Sequence, residues 1–218
     1  MNKGKHKKIL NIIAVIVLVL VFINVLLNAF YWGDGWTEIF WYCNLASFLL
    51  AVGILWKRVT LISVVLVSSI PAQFFWILDF VLKVIGFAGF GRTTELFVWP
   101  LPTIVLSVVL HLLLIPLAVY ATLIHGFKRR ILGWILVFMV ILMAFPFFLS
   151  SYEDNINCVF YSCDLSFTHY LSSNPSLVLW DSLPYLGLMT LKWTCCAFIF
   201  YGGFLFLFQR IFKRVKLV

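Results

Sequence analysis

The sequence predicts an all-α fold, a polytopic membrane helix bundle with six transmembrane helices and both termini in the cytoplasm. Of its 218 residues, 64% are hydrophobic and only 11% are charged, against about 25% charged residues in a soluble domain. Six apolar runs each provide the roughly 20 residues that one membrane crossing needs. The basic residues are clustered between these runs, and six crossings bring every cluster to the same side of the membrane.

We predict one integral membrane domain over residues 1–218, with spans at 9–30, 36–56, 59–82, 97–124, 131–150 and 184–208. The first run follows a basic N-terminus, as the apolar part of a signal peptide does. Its length of about 20 residues and the lack of a small-residue cleavage site indicate a retained helix. Prolines lie in or beside the later spans, where they kink helices and release carbonyl groups: Pro71, Pro100, Pro102, Pro116 and Pro146.

The basic clusters determine the predicted orientation. Lys3 to Lys8 precede the first span, and Arg210 to Lys216 follow the sixth. Lys57 and Arg58 lie between the second and third spans, and Lys128 to Arg130 lie between the fourth and fifth. Loops rich in Lys and Arg stay in the cytoplasm. The net charge of +8 therefore reflects topology, and we expect membrane lipids rather than nucleic acid as partners. The sequence identifies no protein partner.

The largest segment outside the membrane is the outer loop, residues 151–183, which we expect to cap the bundle. It contains Cys158 and Cys163. Because the loop faces the non-cytoplasmic side, where thiols are oxidised, a disulfide between them is favoured over two free thiols. We expect no metal site, because only His169 accompanies this one cysteine pair.

Polar residues within the apolar runs are the candidate functional residues, because polar groups at membrane depth are costly unless they are paired or functional. They are Cys43, Asn44, Gln73, Asp79, His111 and Lys192. In a six-span topology most of them lie in the outer half of the membrane. Helical spacing forms three stripes on three helices, Gln73 with Asp79, Thr103 with Ser107 and His111, and Tyr185 with Lys192 and Cys196. Together they predict an internal cavity that opens outward.

Each candidate also has a structural interpretation. Asp79 could pair with Lys83, its i+4 neighbour, although we favour an internal ion pair with Lys192. Cys43 could simply fill space as a small apolar residue. His111 could be a structural histidine whose ring nitrogen is satisfied by Ser107, one turn away.

The segments WYCNLASFLLAVGILWK and VVLHLLLIPL, with a Cys near the outer end of one span and a His about two spans later, resemble the YwaF-type bacterial integral membrane proteins. Those proteins are similar to eukaryotic transmembrane acyltransferases and to lipid hydrolases of the androgen-induced type. The chain is equally similar to small polytopic membrane proteins without an assigned activity. It departs from the YwaF type in two ways: it has six predicted spans, and the histidine of VVLHLLLIPL stands alone.

The resemblance implies acyl transfer or lipid hydrolysis. We expect the protein to reside in a prokaryotic plasma membrane and to use no cofactor. Cys43 would be the nucleophile, and His111 would activate it as a general base. Asn44 would stabilise the oxyanion, and Lys192 would hold a lipid phosphate.

Two alternatives remain open. A small transporter or a proton or ion relay would use Asp79, His111 and Lys192, and it needs a polar path that continues into the cytoplasmic half, where the sequence offers few candidates. A non-catalytic membrane scaffold would use the outer loop as its interaction surface.

Overall fold

The structure is a computed structural model that describes residues 3–32, 35–87, 93, 97, 99–150, 157 and 178–211. It is the predicted all-α bundle. The helices are α1 (Lys3–Trp32), α2 (Tyr42–Leu55), α3 (Val59–Val84), α4 (Leu101–His125), α5 (Leu132–Leu149) and α6 (Val178–Ile211), with a 3-10 helix at Gly35–Phe40 before α2. Five of the helices are long and apolar enough to cross a membrane, as expected of a multi-pass integral membrane protein.

The second predicted span, residues 36–56, is not one continuous helix. The 3-10 helix ends at Phe40, and α2 is a separate helix of 14 residues, about 21 Å long at 1.5 Å per residue and thus shorter than the hydrocarbon core of ~30 Å. Asn157 from the outer loop satisfies the backbone at this break. Its Oδ1 accepts the Tyr42 N–H at 2.8 Å, and its Nδ2 donates to the Phe40 carbonyl at 2.7 Å.

Local sequence explains where other helices begin and end. The fourth predicted span starts at residue 97, but α4 starts at Leu101, between Pro100 and Pro102. Proline disfavours helical geometry in the residue before it and is accepted in the first helical turn. At its other end α4 stops at Gly126, whose φ of 100° is in the left-handed region that glycine tolerates.

Helices α1 and α3 each pack against both α2 and α4, and α2 also contacts α4, while α6 packs against α3 and α5. Buried aliphatic side chains such as Leu50, Leu66 and Leu110 fill the interior. The outward faces are also apolar. Phe22 on α1 is 64% exposed and Ile199 on α6 is 72% exposed, which fits surroundings of lipid rather than water.

The described basic clusters lie at one end of the bundle, as predicted. His6 Nδ1 is hydrogen bonded to the Tyr120 hydroxyl at 2.7 Å, which joins the start of α1 to α4. The connector between α4 and α5 contacts α3 and α6 at the same end: the Lys128 N–H donates to Ser63 Oγ at 2.9 Å, and the Tyr201 hydroxyl donates to the Arg129 carbonyl. By the positive-inside rule we expect this end to face the cytoplasm, and we refer to it as the cytoplasmic end. Lys213, Arg214 and Lys216 lie outside the described residues.

Candidate functional site

The interior formed by α1 to α4 contains many buried polar side chains, which we call the buried polar core. Its members, each 7% exposed or less, are Asn24, Asn28, Asn44, Ser47, Ser68, Ser69, Gln73, Asp79, Thr103, Ser107 and His111. Four of the residues selected from the sequence are among them: Asn44, Gln73, Asp79 and His111. A buried polar group needs a hydrogen-bond partner, so the partners of these side chains define the geometry of the site.

His111 has a defined orientation. Its Nδ1 lies 2.7 Å from the carbonyl oxygen of Ser107, one turn earlier on α4. A carbonyl can only accept, so Nδ1 carries the hydrogen and Nε2 of the neutral ring has a free lone pair. The ring stacks on Trp76 of α3, with centroids 3.7 Å apart and planes 15° from parallel. The imidazole is thus held by a backbone group and an aromatic face, with one nitrogen able to accept a proton.

The stack continues toward the outer end of α3. Phe80 stacks on Trp76 with centroids 5.4 Å apart, and Phe97 stacks on Phe80 at 5.9 Å. These rings form an apolar wall beside the buried polar core. A wall of this kind keeps water away and strengthens the electrostatic interactions next to it.

Asp79, near the outer end of α3, is fully buried. Its Oδ2 accepts the backbone N–H of Thr93 at 2.7 Å and the Thr93 hydroxyl at 2.8 Å. The carboxyl group therefore joins α3 to the segment that follows it. The sequence identified Asp79 but not this partner, because the partner lies 14 residues away in a segment without helical periodicity.

Lys192 is placed differently from the prediction. It lies on the exposed face of α6, near Leu188 and Leu191, which are 61% and 60% exposed. No ion pair joins it to Asp79, although the structure describes both side chains. The expected internal ion pair is therefore absent. A flexible stem lets a lysine on a lipid-facing surface extend its ammonium group toward the membrane interface.

Cys43 is half-buried in the first turn of α2. The described contacts of His111 are with Ser107 and Trp76, and no hydrogen bond joins His111 to Cys43. The roles of both residues therefore stay predictions. Cys195 is exposed and Cys196 is half-buried on α6. Cys158 and Cys163, the predicted disulfide, lie outside the described residues.

Tyr42 is a member of the site that no sequence pattern predicted. Its hydroxyl donates toward Ser69 Oγ at 3.0 Å and Ser68 Oγ at 3.2 Å, while Ser68 Oγ donates to the Val64 carbonyl at 2.8 Å. In the sequence, a tyrosine near the predicted end of a span is typical of an interfacial residue. The contact with Ser68 and Ser69 becomes visible only in the packing of α2 against α3. On the other side of α2, the Asn24 amide donates to Asn44 Oδ1 at 3.1 Å.

Buried polar side chains follow α3 along most of its length. Ser63, near its cytoplasmic end, is fully buried, and Asp79 is fully buried near the other end, about 24 Å away at 1.5 Å per residue. Between them, Gln73 is 1% exposed and its Oε1 has no hydrogen-bond partner among the described residues. A buried acceptor without a partner is a place where a water or a solute donor can bind.

A second candidate site is an apolar groove of about 420 Å³ between α5 and α6. Leu136, Val140 and Ala144 line one wall, and Gly187, Thr190 and Thr194 line the other. The Thr190 hydroxyl donates to the Leu186 carbonyl at 2.8 Å, whereas the buried Thr194 hydroxyl has no partner among the described residues. The volume lies within the range of small-molecule sites.

Among the residues that the structure describes, no three His, Cys, Asp or Glu side chains are grouped closely enough to hold a metal ion. Comparison of the chain with models of protein families, with curated proteins and with solved structures finds no match.

Proposed function

We propose that this multi-pass membrane protein moves protons through its buried polar core, with His111 as the central proton acceptor. The observation that carries the proposal is the burial of five polar side chains on α3 between its two ends: Ser63, Ser68, Ser69, Gln73 and Asp79. The apolar runs contain few polar candidates in the cytoplasmic half. Ser63 on α3 and Thr122 on α4 are buried there and would extend the path toward that end.

His111 and Gln73 are the residues that give this path its chemistry. His111 presents a nitrogen lone pair within the core, because its other nitrogen donates to Ser107. The unpartnered Gln73 oxygen lies on α3, less than one turn from Trp76, the residue that stacks on the imidazole. Ionisable groups inside a membrane commonly mark ion or proton pathways. Asp79 would accept or release the proton at the outer end, and Lys192 takes no part in this form of the relay.

The test is proton flux into liposomes that contain purified protein and a trapped pH-sensitive dye, driven by a potassium diffusion potential. We expect the wild type to acidify the lumen at least about tenfold faster than protein-free liposomes. His111→Gln should reduce the rate to that of protein-free liposomes, because an amide accepts a hydrogen bond but does not take up a proton. His6→Gln is the matched control, since His6 lies at the cytoplasmic end and should retain the flux.

Two results would refute the relay. One is a wild-type rate equal to that of protein-free liposomes at either polarity of the potential. The other is an unchanged rate in His111→Gln, because the flux would then bypass the residue that defines the path.

The second candidate function is that of a lipid-handling acyltransferase or hydrolase. The groove between α5 and α6 would hold its lipid substrate, while Cys43 and His111 lie on α2 and α4. The groove lies among membrane-spanning helices and is mostly apolar, so the occupant with matching chemistry is a lipid acyl chain. The Cys43 thiolate would attack the acyl carbonyl and form a thioester. His111 Nε2 would take the thiol proton and pass it to the leaving oxygen, and Asn44 would stabilise the oxyanion. Water or a lipid hydroxyl would then release the acyl group.

This mechanism requires Cys43 and His111 to come within hydrogen-bonding distance when substrate binds. We expect wild-type membranes fed a clickable fatty acid to yield a hydroxylamine-labile label that is absent from Cys43→Ser. Cys196→Ser, which changes another half-buried cysteine, should keep the label. Equal labelling of wild type and Cys43→Ser would rule out the covalent mechanism.

A further inference from the structure

The outer loop reaches into the bundle at Asn157. Its Nδ2 donates to the Leu142 carbonyl at 3.3 Å, and Leu142 lies seven residues before the end of α5 at Leu149, a depth of about 10 Å. The other contacts of Asn157 are at the break before α2, which also falls within the ~30 Å core because α2 crosses only about 21 Å of it. A loop side chain thus enters the membrane-spanning part of the bundle, where polar groups are kept only if they are paired.

The Asn157 amide hydrogen bonds to three backbone groups at places where helical hydrogen bonding is interrupted. The Tyr42 N–H donates to its Oδ1 where α2 begins, and its Nδ2 donates to the Phe40 carbonyl where the 3-10 helix ends. The third group is the Leu142 carbonyl. The helical donor to that carbonyl would be the N–H of residue 146, and Pro146 has none. One side chain therefore replaces missing helical bonds in two elements.

Two ring contacts hold the same parts of the chain together. Phe40 lies against Phe145, with centroids 6.0 Å apart. Tyr42 lies edge-on to Phe138 at 6.2 Å. Phe138, Leu142 and Phe145 are spaced i, i+4 and i+7, so they share one face of α5. The start of α2 is held on this face by a ring pair on either side and by the loop amide between them.

The first turn of α2 carries the side chains through which this helix enters the buried polar core. The Tyr42 hydroxyl donates toward Ser69 Oγ at 3.0 Å, and Asn44 Oδ1 accepts the Asn24 amide at 3.1 Å. Cys43, the candidate nucleophile, lies between them in the chain. Tyr42 is thus fixed at its backbone by the loop and at its hydroxyl by α3. Displacement of its N–H would move all three residues of this turn relative to the core.

We propose that Asn157 is a positioning residue of the buried polar core, which holds the first turn of α2 against α5 and so places Tyr42 and Asn44 in the core. This role rests on the proposed function only in that the core is taken as the working site. Asparagine meets both demands of the position. Its amide donates and accepts at once, and it tolerates the left-handed backbone, here with a φ of 57°.

The test is alkylation of Cys43 by N-ethylmaleimide in the purified full chain in neutral detergent, with each modified peptide quantified by mass spectrometry. Asn157→Gly removes the three hydrogen bonds without backbone strain, because glycine accepts a φ of 57°. We expect Cys43 to react about tenfold faster in this variant, because the first turn of α2 opens more often. Asn157→Asp keeps the acceptor for the Tyr42 N–H and should raise the rate only about threefold. Cys195, exposed on α6, is the internal reference and should keep its rate within about twofold.

Pro146 allows a second, independent test of the amide. Pro146→Ala gives α5 an N–H for the Leu142 carbonyl, so one of the three bonds of Asn157 is no longer needed. In that background Asn157→Gly should accelerate Cys43 alkylation only about threefold. Pro116→Ala, which restores an N–H within α4 instead, is the matched control and should keep the full effect of about tenfold.

Three alkylation results would overturn the proposal. The first is a Cys43 rate in Asn157→Gly within about twofold of the wild type. The second is an equal effect of Asn157→Gly in the Pro146→Ala and Pro116→Ala backgrounds. The third is an equal acceleration by Asp79→Ala, which loses hydrogen bonds to Thr93 on another segment and so reports a general loss of stability.

Proton flux in the liposome assay is the functional readout. Asn157→Gly should lower the flux at least about threefold, whereas His6→Gln should retain it. An unchanged flux in Asn157→Gly beside an active wild type would overturn the positioning role. A wild type without flux would refute the relay alone, because Cys43 alkylation decides the position of α2 without any transport.

Discussion

Replacing Asp79 with alanine is expected to lower the free energy of unfolding by about 3 kcal/mol. Asp79 is fully buried, and its Oδ2 accepts from both the backbone N–H and the hydroxyl of Thr93. Thr93 itself is 1% exposed. Alanine leaves both donors buried without an acceptor, and each such group costs about 1–3 kcal/mol. The measurement is the unfolding midpoint of purified protein in mixed micelles titrated with SDS.

Two variants separate this hydrogen-bonding role from a role of the negative charge. Asp79→Asn keeps a carbonyl oxygen for the Thr93 donors, so we expect a loss of only about 1 kcal/mol. Thr93→Val removes one donor and keeps the shape of the side chain, and a loss of about 1 kcal/mol is expected there as well. An unfolding midpoint of Asp79→Ala equal to that of the wild type would show that the carboxyl group does not hold this end of α3.

Replacing Gly53 with valine is expected to cost about 3 kcal/mol, at the upper end of the range for overpacking a core. A Cβ at this position would lie 3.1 Å from Leu61 Cβ, 3.2 Å from Ile62 Cγ1 and 3.4 Å from the Ile62 backbone nitrogen. The last of these atoms belongs to the backbone of α3 and cannot move aside independently. Because only three residues join α2 to α3, relieving the contact would force the two helices apart.

Gly202→Val is the matched control, because a Cβ built on Gly202 of α6 meets no atom within 4 Å. In a helix interior valine has a slightly higher propensity than glycine, so this variant should unfold within about 0.5 kcal/mol of the wild type. Gly53→Ala should lie between the two, because its propensity gain of about 1 kcal/mol opposes the close contact. If both valine variants unfold alike, the close approach of α2 and α3 at Gly53 is not a packing constraint.

Much of the buried polar core was predictable from the sequence. Asn44, Gln73, Asp79 and His111 stood out because each interrupts an apolar run, and all four are buried. Helical spacing alone grouped Thr103, Ser107 and His111, which are buried on one face of α4. Their partners were less predictable. Ser107 was expected to satisfy His111 but does so through its carbonyl oxygen, and the contacts of Tyr42 with Ser68 and Ser69 had no local signal.

The sequence by itself determined the class of the protein, the approximate positions of its helices and the gathering of its basic residues at one end. These properties follow from the hydrophobicity summed along each apolar run and from the charge of the segments between runs. Both are local, so they can be predicted without knowledge of tertiary contacts. Only the tertiary structure decided that Asn157 satisfies the backbone where the second span breaks and that Lys192 faces outward. Such contacts join residues far apart in the chain, and helix packing selects them among many pairings that local sequence allows equally.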